Sequence, residues 1–169
     1  MIHIKIPYDF ICRSVDIDWQ DILFGLENEL ISSTVAIEQA TVILNNSGRY
    51  EPDIVDVASC SPADPIIELV ARLARREQPR PEGNVREKWL YIILAWLYDH
   101  RHSIADPLSM VEEVYADFDY PEEVAPFVRY MPMVGPDLGS REANEERMVG
   151  NWKAYLDRTG ERFRNSSCY

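Results

Sequence analysis

Val85-Arg86-Glu87-Lys88-Trp89-Leu90-Tyr91-Ile92-Ile93-Leu94-Ala95-Trp96-Leu97-Tyr98-Asp99-His100-Arg101 decides the fold class. Wound as a helix, this stretch places Trp89, Leu90, Ile92, Ile93, Leu94, Trp96 and Leu97 on nearly every side, and a helix apolar all round is normally the buried centre of its domain. Its apolar run, Trp89 to Tyr98, is ten residues, short of the roughly 20 that span a bilayer. Burial within protein is therefore expected, and membrane insertion is not.

The flanking sequence supplies helices to bury it. Asp18 can cap a segment with Trp19, Ile22, Leu23, Leu26 and Leu30 on one stripe, and Asp21 sits in the first turn, where the helix dipole favours a carboxylate. Ser33 or Thr34 starts the next, with Ala36, Ile37, Ala40, Ile43 and Leu44 inward, and Asn45-Asn46-Ser47-Gly48 stops it. Pro52 suits the first turn of a helix to about Ala58. Asp64-Pro65 opens another, carrying Ile66, Ile67, Val70, Leu73 and Ala74. Gln78 to Gly83 reads as a loop, and Asn84 as the cap of the central helix. Asp106-Pro107 begins a helix with Leu108, Val111, Val114, Tyr115 and Phe118 inward; Asp119-Tyr120-Pro121 restarts it to about Tyr130. Met131 to Gly139 is irregular, and Ser140 caps a last helix bearing Val149, Trp152, Tyr155 and Leu156. Ile2, Ile4 and Ile6 alternate as a short strand would, up to Pro7.

With no alternation of strands and helices, this pattern predicts an all-α fold. The expectation is about eight helices in a single compact domain over residues 1–164, as a bundle or a short stacked α-α array, followed by a loose tail at 165–169. No period of 30 to 45 residues marks a repeat protein. Cys12, Cys60 and Cys168 are odd in number and widely spaced, which argues against a disulfide framework or structural zinc and for a reducing compartment, the cytoplasm. The N-terminal residues show no export signal.

The net charge is −12 over 169 residues. Between Arg13 and Arg72 stand eleven carboxylates and one base, Arg49; from Ser103 to Val128 there are seven carboxylates and no base. Nucleic acid is excluded as a partner, because phosphate binding needs clustered Lys and Arg. Some of these acids have local explanations: Asp18, Asp21, Asp106, Glu122 and Glu123 lie at or near expected helix N-termini. Glu113 and Asp117 do not. They stand four apart on one helix, a like-charge spacing that costs a few tenths of a kcal/mol, and Asp117 also lies toward the unfavourable C-terminal end. Glu27, Glu29, Asp53 and Asp56 have no base nearby in sequence. Arg72, Arg75, Arg76, Arg80, Arg86 and Lys88, interrupted by Glu77, Glu82 and Glu87, read as a solvated face that pairs with acidic surfaces.

No catalytic, metal or cofactor signature emerges. His100 and His102 are two apart rather than the four that would align them on zinc, and Asp99 to His102 reads as a polar exit from the central helix. Ser59-Cys60-Ser61 lacks the glycine elbow and nearby His of a nucleophile. Asp117-Phe118-Asp119 lacks the sheet-forming context of a metal-dependent glycosyl transferase.

The stretch from Glu87-Lys88-Trp89-Leu90-Tyr91 through Trp96-Leu97-Tyr98, with Asp106-Pro107-Leu108, Val111 to Phe118, Asp119-Tyr120-Pro121-Glu122-Glu123 and Phe127 to Pro132, resembles the bacterial domain of unknown function 2247 family. The match is specific over about residues 86–132 and extends along most of the chain. The family name implies no activity and supplies no catalytic residue. Small acidic bacterial proteins of this kind are often encoded beside toxins, an analogy that implies a cytoplasmic immunity-type binding protein. The expected partner is a basic toxin domain, such as a nuclease, whose cationic site the protein would cover. The expected contact residues are Glu112, Glu113, Asp117, Asp119, Glu122 and Glu123, with Tyr115, Tyr120 and Tyr130 as anchors if exposed. Two alternatives stand beside it: an enzyme whose acids and histidines assemble only in three dimensions, and a scaffold or regulator with no toxin partner. The oligomeric state is left open.

Overall fold

The computed structural model describes residues 2–48 and 50–165. The fold is all-α, with eight α-helices and no strand among the described residues: α1 Tyr8–Ser14, α2 Trp19–Glu27, α3 Ser33–Ser47, α4 Pro52–Ala58, α5 Ile67–Arg76, α6 Glu82–His100, α7 Pro107–Asp117 and α8 Arg141–Asn165, with a 3-10 turn at Ala125–Phe127. The chain divides into two compact units. One is His3–Trp89; the other comprises Ile2 and the described chain from Leu90 onward.

In the first unit α2 packs on α5, α3 on α4 and α1, and α4 on α5. Its core includes Ile6, Phe10, Ile11, Trp19, Ile22, Val35, Ala36, Val57, Val70 and Trp89. The start of α2 explains the register of this packing. Asp18 accepts the Asp21 N–H at 3.0 Å while Asp21 accepts the Asp18 N–H at 3.1 Å, a reciprocal cap. Glu77, just past α5, accepts the N–H groups of Trp19 and Gln20 at 2.9 and 3.0 Å. Carboxylates thus take the N–H groups that the first turn of a helix leaves open, and one of them ties α5 to α2. Gly25 lets the Trp89 ring lie against α2: a Cβ there would stand 2.5 Å from the indole.

In the second unit the latter half of α6 supplies Ile92, Ile93, Leu94 and Leu97, all without solvent exposure. Phe127 stacks on Trp152, with ring centroids 6.1 Å apart, and Trp152 meets Tyr98 edge-on at 5.2 Å. Gly160 brings α8 close to Tyr91, whose hydroxyl would lie 2.8 Å from a Cβ.

Four local expectations are corrected. Ile2, Ile4 and Ile6 are buried and alternate with exposed His3 and Lys5, but they join no ladder: Ile6 donates to the Leu30 carbonyl at 2.9 Å, and Ile2 donates to a side chain. The first turns form α1, which sequence periodicity did not announce because the segment is only seven residues long. The central helix begins at Glu82, so Gly83 and Asn84 lie inside it rather than before it. No continuous helix spans 119–130. Asp119 and Tyr120 adopt φ of 60° and 59°, and Pro121 and Pro126 lack the N–H that helical bonding requires, leaving only the short turn at 125–127. The loss of that helix and the gain of α1 leave eight helices, the number expected. Asn165 ends α8; the rest of the expected tail, 166–169, lies outside the described residues, as does Arg49. No helix among the described residues is long and apolar enough to cross a membrane.

Candidate partner-binding face

The carboxylates sort first by what already holds them. In the first unit Asp21 is wholly buried, 2.6 Å from the Lys88 ammonium and 2.9 Å from Arg80. Asp18 also receives Arg80, at 2.8 Å. Asp53, unmatched in nearby sequence, is buried between Arg72 at 3.5 Å and Arg76. Glu68 pairs with Arg75 at 3.3 Å. The basic group from Arg72 to Lys88 therefore does pair with acids, though Lys88 does so from inside the core instead of on a solvated face. Burial pushes the Glu77 carboxyl up, against the pull of the Trp19 and Gln20 N–H groups, and burial with the nearby Asp21 charge does the same to Asp18.

In the second unit Arg129 is the hub. Its guanidinium grips Glu112 through two N–H groups at 2.8 and 3.2 Å, reaches Asp106 at 3.0 Å and lies 3.8 Å from Glu145. The Glu112 hydrogen bonds hold Arg129 more firmly protonated than usual. Burial alone would raise the Asp106 carboxyl, but the Ser109 N–H and Arg129 outweigh it and hold Asp106 below the ordinary carboxylate range. Glu112 is thus half-buried in an ion-pair cluster. Glu113, Asp117, Asp119, Glu122 and Glu123 are all exposed. Of these, Asp117 accepts the Ile2 N–H at 2.9 Å, so one oxygen also fixes the N-terminal segment. Glu122 and Glu123 lie in turns, not at the helix start that the sequence suggested.

Beside these acids stands an aromatic cluster. Tyr115 is buried, so it is not an anchor for a partner; its ring supports Tyr120, edge-on at 5.3 Å, and Tyr130 at 6.1 Å, which are 61% and 58% exposed. The cause is the way α7 ends. Tyr120 N–H bonds back to the Tyr115 carbonyl at 2.8 Å and Asp119 N–H to the Ala116 carbonyl at 3.3 Å, the paired bonds of a Schellman motif, which brings the residues now occupied by Tyr115 and Tyr120 into contact. Asp119 holds the left-handed position where Gly is usual, a conformation costing roughly 1–2 kcal/mol for an L-residue.

The chemistry-bearing residues outside this face are engaged locally. His100 stacks on Trp96 at 3.9 Å and bonds its carbonyl at 2.8 Å. Ser59 and Cys60, just past α4, donate to its Val55 and Asp56 carbonyls. Cys12 and Cys60 are free thiols, and among the described residues no group of three His, Cys, Asp or Glu is placed to hold a metal ion. His102 does line a cavity of about 570 Å³ with Asp106, Glu142, Glu145 and Glu146. Two of those acids are held by arginines, Asp106 by Arg129 and Glu145 by Arg141 at 2.9 Å.

Sequence reasoning missed the Arg129 hub and an exposed apolar group on the loop 131–140, where Met133, Val134 and Leu138 face solvent. Arg129 follows the base-free stretch by a single residue, which was a usable signal. The loop has no periodicity, so nothing in its pattern indicated which side chains would be covered.

The family model described as "Uncharacterized protein conserved in bacteria (DUF2247)" matches residues 8–160. No curated protein and no solved structure matches the chain.

Proposed function

Because the chain belongs to the DUF2247 family, whose description carries no activity, we propose its function from its own surface: an immunity-type binding protein that neutralises a basic toxin domain, such as a nuclease, by covering its cationic site. The observation that carries this reading is the set of exposed carboxylates Glu113, Asp117, Asp119, Glu122 and Glu123 beside the exposed rings of Tyr120 and Tyr130. Most acids of the first unit's helix starts and ion pairs contribute to its own stability. Glu113 and Asp117 stand four apart on α7, both exposed, a spacing that suits a cationic surface meeting them together. Opposed charge raises the association rate, while large rings with few rotatable bonds slow dissociation. Free thiols at Cys12 and Cys60 support action in the reducing cytoplasm.

The decisive experiment takes the product of the gene immediately upstream and expresses it with and without this chain. Toxicity relieved by the chain, together with a complex that dissociates at high salt, is expected. A neighbour that is neither toxic nor bound overturns the reading. A second reading, an acid–base enzyme, is favoured by His102 in a cavity lined by four acids and three arginines; it requires that His102→Ala abolish an activity while leaving partner binding intact.

A further inference from the structure

Of the eight large apolar side chains left exposed among the described residues, five, Tyr120, Tyr130, Met133, Val134 and Leu138, fall between residues 120 and 138. Such concentration in one short stretch of chain asks for a reason, because scattered exposure is ordinary and clustered exposure is not. The loop that carries three of them is not loose. Arg147 donates to the Pro136 carbonyl at 2.6 Å and reaches the Met133 sulfur at 3.7 Å. The Asn144 amide donates to Asp137 at 2.9 Å and accepts the Leu138 N–H at 3.0 Å, while Asp137 also accepts the Gly139 N–H at 2.9 Å. Pro132 and Pro136 stiffen the same stretch, and Gly135 and Gly139 take the positive φ values, 93° and 86°, that its bends need. The backbone of the loop is therefore fastened to α8 while Met133, Val134 and Leu138 point outward. These three add little to the core, and water wets them at a cost. Met133 and the buried Met148 both line an open depression of about 620 Å³ between the loop and α8, and thioethers adapt readily to irregular partners.

We infer that the loop from Tyr130 to Leu138 is the apolar half of the partner interface, continuous through Tyr130 with the acidic face, and that its occupant is a basic protein surface bearing an apolar patch. This rests on the proposed reading of the acidic face. Charge complementarity selects that occupant. A second copy would bring another chain of charge −12 against the same exposed carboxylates, and like charge at this range opposes association. Pre-ordering of the loop lowers the entropy lost on binding, so its apolar contacts would appear chiefly in the dissociation rate.

The test uses two synthetic peptides with the same number of lysines, one a lysine homopeptide and one an amphipathic lysine–leucine peptide, and reads their binding to the full chain by fluorescence anisotropy. The wild type is expected to hold the lysine–leucine peptide about tenfold more tightly, the equivalent of covering one apolar side chain. Combined Met133→Ser, Val134→Ser and Leu138→Ser substitution should erase that advantage and leave lysine-homopeptide binding unchanged. Arg147→Ala, which frees the loop backbone but keeps its apolar side chains, should erase part of it. If the triple variant binds the lysine–leucine peptide as tightly as the wild type, the apolar half is overturned while the acidic face stands. If neither peptide binds the wild type, the acidic reading fails and takes this one with it. A wild type that sediments as a dimer and a triple variant that sediments as a monomer would assign the loop to a second copy and overturn the inference.

Discussion

The Lys88 ammonium lies 2.6 Å from Asp21 Oδ2, with Lys88 8% and Asp21 0% exposed. Lys88 also donates to the Asp16 carbonyl at 3.0 Å, and the Trp89 indole donates to the Asp21 carbonyl at 2.8 Å. Asp21 also keeps Arg80 at 2.9 Å, so it is loss of Asp21 that strands a charge, the Lys88 ammonium. Asp21→Leu is expected to destabilise the protein by about 3–5 kcal/mol in urea unfolding, and Lys88→Met by less. Lys88→Met combined with Asp21→Leu should cost less than Asp21→Leu and Lys88→Met taken separately and added. Strict additivity would mean that the two charges do not depend on one another.

Gly25 faces the same tryptophan. A methyl group at that position would overlap the indole and approach the Ile31 side chain, so Gly25→Ala should lower stability by about 1–3 kcal/mol despite the better helix propensity of Ala. Thermal unfolding followed by helical circular dichroism measures it. A neutral or stabilising result would mean that Trp89 has room to retreat from α2.

Asp106 sets part of the acid sensitivity. Its folded carboxyl is held below the ordinary value of 3.8, so the folded state binds fewer protons than the unfolded one; this contribution is present above pH 3.8 and is lost as pH falls below it. Asp106→Asn, which keeps a good N-cap but no charge, should flatten the loss of stability in that window. Glu77 acts with the opposite sign, because burial raises its folded value above 4.5: its contribution is greatest below pH 4.5 and declines as pH rises through the folded value. An Asp106→Asn profile parallel to that of the wild type below pH 4 would remove Asp106 from the account.

Glu113 and Asp117 separate recognition from stability. Reversing both to Lys turns repulsion from the acidic neighbours into attraction but removes the hydrogen bond that Asp117 accepts from the Ile2 N–H, so the folded state of the variant is checked alongside by circular dichroism. With the upstream gene product as partner, the association rate at low salt is expected to drop about tenfold or more, and its dependence on salt to shrink. An unchanged rate, read by stopped flow at two salt concentrations, would take α7 out of the interface.

Tyr120→Ala and Tyr130→Ala should act on the other rate. As exposed rings braced by Tyr115, each is expected to speed dissociation by about 10-fold or more, as hot-spot aromatics do, with little effect on association. Loss of stability without faster dissociation would instead make these rings part of the unit's own packing.

Local chemistry by itself determined several helix ends: Asp18, Pro52, Asp106 and Ser140 open helices, and Gly48 closes one, through bonds and backbone preferences that span only a few residues. It likewise fixed Glu113 and Asp117 four apart on α7. Only the tertiary structure decided which acids remain on the surface. Asp53 is matched from 19 and 23 residues away by Arg72 and Arg76, Asp21 from 67 away by Lys88, and Glu112 from 17 away by Arg129. Sequence spacing carries no record of such pairs, since each forms only when packing brings two helices or a helix and a turn together. The same holds for Tyr120, left exposed against buried Tyr115 by the turn at Asp119 that ends α7, whereas helical spacing had already set Tyr115 inward.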